Sequence, residues 1–139
     1  MSFREKSAWI SFVLIVIFGA LWLRNVIRVE FYGLRQDPMK FFFAILLALI
    51  LAEISLHIAI AIQSPGDART PKDEREKLID LKASRVAFYV LMIGAWLSIG
   101  TLHVPGSNRV MMAQALMGSI IIAVLTRFAT QIALYRRDA

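Results

Sequence analysis

The sequence predicts an all-α polytopic membrane protein, with four transmembrane helices in an antiparallel bundle and the third helix extended into the cytosol. Two observations carry this. Hydrophobic residues make up 58% of the 139 residues and mean hydropathy is +0.64, with the apolar residues gathered into long runs instead of spread at the period of a soluble core. A helix needs about 20 apolar residues to cross a bilayer, and residues 8–23, 41–62, 86–104 and 110–135 come close to that length. Little chain is left for a soluble domain. Residues 1–139 therefore read as one transmembrane domain, with helices over about 8–32, 38–63, 71–104 and 108–136.

The first run is preceded by "MSFREKS", which resembles the start of a secretory signal. It has no small-residue cleavage site, because "LWLRNVIR" follows the apolar run, so it reads as a retained helix. Arg24 and Arg28 stand one turn apart beside Phe31 and Tyr32, as at a helix end snorkelling into an aromatic interface belt. In "RQDPMKFFF", Asp37 can cap and Pro38 takes the first position of the second helix. "QSPGDARTPKDERE" ends that helix at Pro65 and Gly66. It restarts with Thr70 as cap, Pro71 at the first helical position and Asp73 as the acid of a capping box. The last connection, "HVPGSNR", is so short that helices three and four must form an antiparallel hairpin.

Orientation follows from Lys and Arg. With both termini on one side, that side holds Arg4, Lys6, six basic residues from Arg69 to Arg85, Arg136 and Arg137. The other holds Arg24, Arg28, Arg35, Lys40 and Arg109. The positive-inside rule then places both termini and the "DERE" segment in the cytoplasm of a multi-pass inner-membrane protein. The net charge of +6 is accounted for by helix ends and anionic lipid, and direct nucleic-acid binding is not expected.

Helix three thus begins in the cytosol about four turns before the lipid. Lys72 with Glu76, and Asp73 with Lys77, are opposite charges at i,i+4, worth a few tenths of a kcal/mol each, on the order of 0.2–0.5. Leu78, Leu81 and Arg85 lie on another side, where the two leucines give the segment an apolar ridge that a partner should cover. The expected docking surface is therefore Asp73, Glu74, Arg75, Glu76, Leu78 and Leu81. Asp73, Glu76 and Asp80 share a face that could hold a divalent cation, but neighbouring Lys and Arg favour a solvated, salt-bridged helix.

Polar residues within the apolar runs form a second candidate site. Glu53 lies in "LLALILAEISLHIAIAI" with His57 one turn on, and Arg127 lies in "IIIAVLTRFATQIALY" with Gln131 one turn on. Counted from the inner helix ends, Glu53 and Arg127 fall at roughly equal depths of about 12 to 14 Å. A charge there costs about 2.5 to 3.5 kcal/mol on insertion scales, which favours pairing. Ala115, Ser119, Ala123, Arg127 and Gln131 recur every four residues, and Gly94, Ser98 and Thr101 make a similar stripe that could pack against them. The expected network is Glu53, His57, Arg127 and Gln131, serving either as structural glue or as a proton or ion site.

The segment "KDEREKLIDLKASRVAFYVL" resembles the signature of an uncharacterised family of small prokaryotic membrane proteins with four predicted helices, in which a D-E-R-E run opens the third. The match is strongest over residues 73–91. Some such proteins resemble membrane partners of small helix-turn-helix repressors. The resemblance implies a role in holding or releasing a DNA-binding protein, and it carries over no catalytic residues.

Enzymatic readings find no support. No nucleophile elbow, phosphate loop or metal-spaced His and acid cluster is present, and Cys is absent. Glu53 with His57 has metal-pair spacing but no third ligand, so no catalytic residue, metal or cofactor is expected. Three classes remain: a regulatory subunit that docks a cytosolic protein, a small proton- or ion-linked transporter or channel centred on Glu53 and built as a homo-oligomer, and a structural accessory subunit.

Overall fold

The computed structural model describes residues 3–33, 38–63 and 73–137. They form α1 (Phe3–Tyr32), α2 (Pro38–Gln63), α3 (Glu74–Gly100) and α4 (Arg109–Arg137), with a 3-10 turn at Thr101–His103 following α3. All four helices are long and apolar enough to cross a membrane, and among the described residues there is no strand. The chain divides into two compact units, Met1–Pro71 and Lys72–Ala139. In the first α1 packs on α2, and in the second α3 packs on α4.

Local chemistry sets the ends of the elements. Gly33 follows α1 at φ 62°, the left-handed position that closes a helix and that a side chain would strain. The N-cap of α3 is Asp73, not Thr70. Its side chain accepts from Glu76 N at 2.7 Å while Asp73 N donates to Glu76 Oε2 at 3.3 Å, a reciprocal capping box. Asp73 and Glu76 have the three-residue spacing that the box requires, so Asp73 is the cap and not the acid within the box. Thr70 and Pro71, like Asp37, Pro65 and Gly66, lie outside the described residues. After the 3-10 turn, Ser107 N donates to Val104 O at 3.0 Å with Gly106 at φ 83°. Pro105 and Gly106 thus occupy the central positions of a tight turn of the kind that wants Pro then Gly. Asn108 Oδ1 then accepts from Met111 N at 2.9 Å and caps α4.

In the first unit, Ala8, Ser11, Ile15, Phe18 and Asn25 are buried. Their steps of three, four and seven residues make a seam of the coiled-coil type. Phe18 meets Phe42 of α2 edge-to-face, with centroids 5.6 Å apart. In the second unit Ile79, Ala83 and Ser98 of α3 are buried, as are Met117, Ile121, Gln131 and Ile132 of α4. At Gly94 the helices come close: a Cβ built there would lie 2.6 Å from the Ser119 Cβ and Oγ. A small residue at the crossing allows the backbones to approach, as membrane helices without a hydrophobic driving force between them require. The expected match between the Gly94–Ser98 stripe and Ser119 is therefore present.

Hydroxyl groups in these apolar helices bond the preceding turn. Ser98 donates to Gly94 O at 2.7 Å, Ser119 to Ala115 O at 2.8 Å, Thr126 to Ile122 O at 2.8 Å and Ser55 to Leu51 O at 2.8 Å. Each removes a hydroxyl proton from contact with lipid without a partner helix.

Candidate functional site

The polar companions that the sequence singles out find partners within their own helix pairs. In the first unit His57 Nδ1 lies 2.8 Å from Glu53 O, and Nε2 lies 2.7 Å from Ser7 Oγ on α1. A carbonyl only accepts, so Nδ1 carries a proton. Nε2 therefore accepts from the Ser7 hydroxyl when the ring is neutral, and donates to it when the ring is charged. Four residues back along α2 and four forward along α1, Glu53 comes abreast of Ser11. Glu53 is half-buried and Ser11 is 4% exposed. The acidic side chain thus lies about one turn further into the apolar stretch than the Ser7–His57 bond. Ser7 itself follows Lys6, so this bond stands at the charged border of α1.

In the second unit Gln131 Nε2 donates to Asp80 Oδ1 at 2.8 Å. Gln131 is 7% exposed, and a buried amide that bonds a carboxylate is a strong fixing contact. The Asp80–Gln131 bond and the Gly94–Ser119 approach run in opposite order along α3 and α4, and together they define the register. Arg127, four residues before Gln131, falls abreast of Ser84, next to Arg85. Charge therefore stops on α3 and resumes on α4 at the same level. Between these residues and Arg109, residues 86–104 of α3 and the turn after it and residues 110–126 of α4 carry no Asp, Glu, Lys or Arg. These stretches are about 26 to 28 Å long, close to the roughly 30 Å of a hydrocarbon core. Arg127 is exposed on this helix pair, with its guanidinium 5.8 Å from the Phe128 ring centroid, and its level is the edge of the charge-free span.

The same register describes the opening turns of α3. Residues 74–80 do not stand alone, because the last turns of α4 run beside them. Ile79 and Ala83 are the side chains α4 covers, at 3% and 0% exposure. Leu78 and Leu81 face elsewhere and are 48% and 56% exposed. Asp73, Glu74 and Arg75 are exposed, and Glu76 is partly shielded within the capping box. Glu74 pairs with Lys77 at 2.7 Å, a surface ion pair one turn along the helix. The expected docking residues thus share one helix end, with the two leucines outward.

Glu53 and His57 belong to one unit and Arg127 and Gln131 to the other, and within each unit the two lie one turn apart on the same helix. Sequence spacing missed Ser7 and Asp80 as the actual partners of His57 and Gln131. The signal was present for both: each is the polar residue at the matching level of the adjacent helix in a hairpin. Among the described residues, no group of three or more His, Asp or Glu side chains could hold a metal ion.

Comparison with known families finds one whose model, described as "Predicted membrane protein (DUF2178)", matches residues 4–139. Neither the curated proteins nor the solved structures give a match.

Proposed function

Given that the chain belongs to the DUF2178 family of predicted membrane proteins, we propose that it is a membrane-embedded docking subunit that holds a cytosolic protein against the exposed start of α3. The bilayer is its medium. Both termini and the start of α3 face the cytoplasm of the inner membrane, as the distribution of Lys and Arg indicates. The observation that carries the reading is the outward pair Leu78 and Leu81. They sit among Asp73, Glu74, Arg75 and Glu76 on a helix whose opposite face is already occupied by α4. Apolar side chains rimmed by charge mark an interaction surface. The occupant is a small DNA-binding regulator, the partner class that the "DERE" resemblance implies.

Charge reversal at Asp73 or Glu76 would break the capping box as well as any interface, so the leucines make the cleaner test. Leu78→Asn with Leu81→Asn should leave membrane insertion and helicity unchanged and abolish co-purification of the regulator. Retention of the regulator by this variant would remove the ridge from the interface.

A second reading rests on Glu53. A half-buried carboxyl on a membrane-length helix, one turn from a bonded Ser7–His57 pair, has the makings of a proton or ion site. Transport through it would call for a homo-oligomer, because four short helices enclose little space for a pathway. Uptake of protons or cations by vesicles carrying the protein, lost in Glu53→Gln, would support this reading over docking.

A further inference from the structure

The strongest unassigned feature lies at the other end of the first helix pair. Leu21, Arg24, Asn25, Arg28 and Phe41 line a pocket of about 240 Å³. Arg24, Asn25 and Arg28 fall within one turn on one side of α1, and Phe41 supplies a wall from α2. Asn25 is 5% exposed, while both arginines are exposed at the rim. Leu21 also belongs to a second recess of about 190 Å³, which runs between α1 and α2 past Phe18, Ile45 and Leu49 to Leu14 and Ala52. A polar seat with two guanidiniums therefore adjoins, at Leu21, an apolar groove about two turns long.

The two halves call for one amphiphilic occupant. Guanidinium forks match the oxygens of a phosphate, and two within one turn can share one anion. An apolar groove that begins at the same leucine suits a hydrocarbon chain attached to that anion. A membrane supplies such a molecule, and a guanidinium pair beside an apolar groove between two helices matches both its phosphate and its chain. Ordinary snorkelling of arginines into the headgroup layer does not account for the groove that adjoins them.

We propose that this seat binds one anionic phospholipid, its phosphate held between Arg24 and Arg28 and an acyl chain laid along the groove from Leu21 toward Leu14. Free phosphate shares the headgroup chemistry but not the chain, which lets the two be told apart.

The test uses the full chain, purified in detergent and titrated with phosphatidylglycerol, with bound lipid read by native mass spectrometry. Phosphatidylcholine and inorganic phosphate serve as comparison probes. One phosphatidylglycerol should bind in preference to phosphatidylcholine. Affinity should fall about tenfold or more in Arg24→Gln with Arg28→Gln, which removes both guanidinium contacts to the phosphate. Arg109→Gln, a charge change on the other helix pair, should leave binding unchanged. Ala48→Phe places bulk in the groove at an exposed lining position and should weaken lipid binding while both arginines remain. If the double arginine variant loses its helical circular dichroism, the Ala48→Phe arm decides alone. Equal binding of phosphatidylcholine, or an equal loss in Arg109→Gln, would overturn the proposal. So would full competition by inorganic phosphate with no effect of Ala48→Phe, which would mark a free-anion site.

Discussion

Gly94→Ala is the most informative single substitution in the α3–α4 pair. The added Cβ would lie 2.6 Å from the Cβ and Oγ of Ser119 and 3.4 Å from its Cα. The hydroxyl could turn away, but the Ser119 Cβ is fixed to its backbone, so the helices themselves must separate. Bringing that contact to the near edge of ordinary van der Waals distance means moving it from 2.6 to about 3.4 Å. That movement also stretches the Ser98 to Ser119 hydroxyl contact, already long at 3.4 Å. Overpacking of this kind costs about 1–3 kcal/mol, against a gain in helix propensity of about 0.8–1.0 kcal/mol for replacing Gly by Ala. The net expectation is a loss of up to about 2 kcal/mol, read as a shift in the unfolding midpoint during titration with sodium dodecyl sulfate in mixed micelles. Ser119→Gly in the same chain removes the clashing Cβ and should restore most of the loss. If Gly94→Ala is as stable as the parent, or if Ser119→Gly gives no rescue, the close crossing is not what holds this pair together.

Gln131→Leu should cost about 1.5–3 kcal/mol in the same titration, the range for a lost bond to a charged group. Asp80→Asn should cost less, because it keeps an acceptor for the Gln131 amide. The absence of native Cys makes accessibility labelling clean. Cysteine at Ser107 should react with an impermeant reagent from outside the cell and cysteine at Glu74 should not, and the reverse pattern would invert the topology.

The helices were readable from the sequence because a bilayer imposes length and composition more strictly than a soluble core does. The second helix runs over residues 38–63, as Pro38 and the apolar run indicate. Capping was less readable. "TPKDERE" contains two overlapping capping patterns, and geometry selects the one with Asp73 and Glu76 at its ends. The stripe of Ala115, Ser119, Ala123, Arg127 and Gln131 was only partly informative, because a four-residue step drifts around a helix of 3.6 residues per turn. Of its members Ala123 and Gln131 are buried, together with Met117, Ile121 and Ile132, whereas Arg127 is exposed. Depth counted from helix ends treats every helix as alone. Partner registers such as Ser7 with His57 and Asp80 with Gln131 depend on the neighbouring helix, and a single chain's spacing does not contain them until the hairpin is closed. The lipid seat was half visible: Arg24 and Arg28 stood out as an interface pair, but the groove that adjoins them arises only where α2 packs on α1.

The docking account is tested most directly by a photoreactive amino acid in place of Leu81 in intact cells, with the same residue in place of Phe88 as the control. Both positions are exposed, at 56% and 57%, but only Leu81 lies on the proposed ridge, whereas Phe88 lies within the charge-free span. The account predicts an adduct between the Leu81 position and a small soluble DNA-binding protein, absent from the Phe88 position. Adducts at Leu81 that contain only a second copy of this chain, or no protein at all, would contradict it.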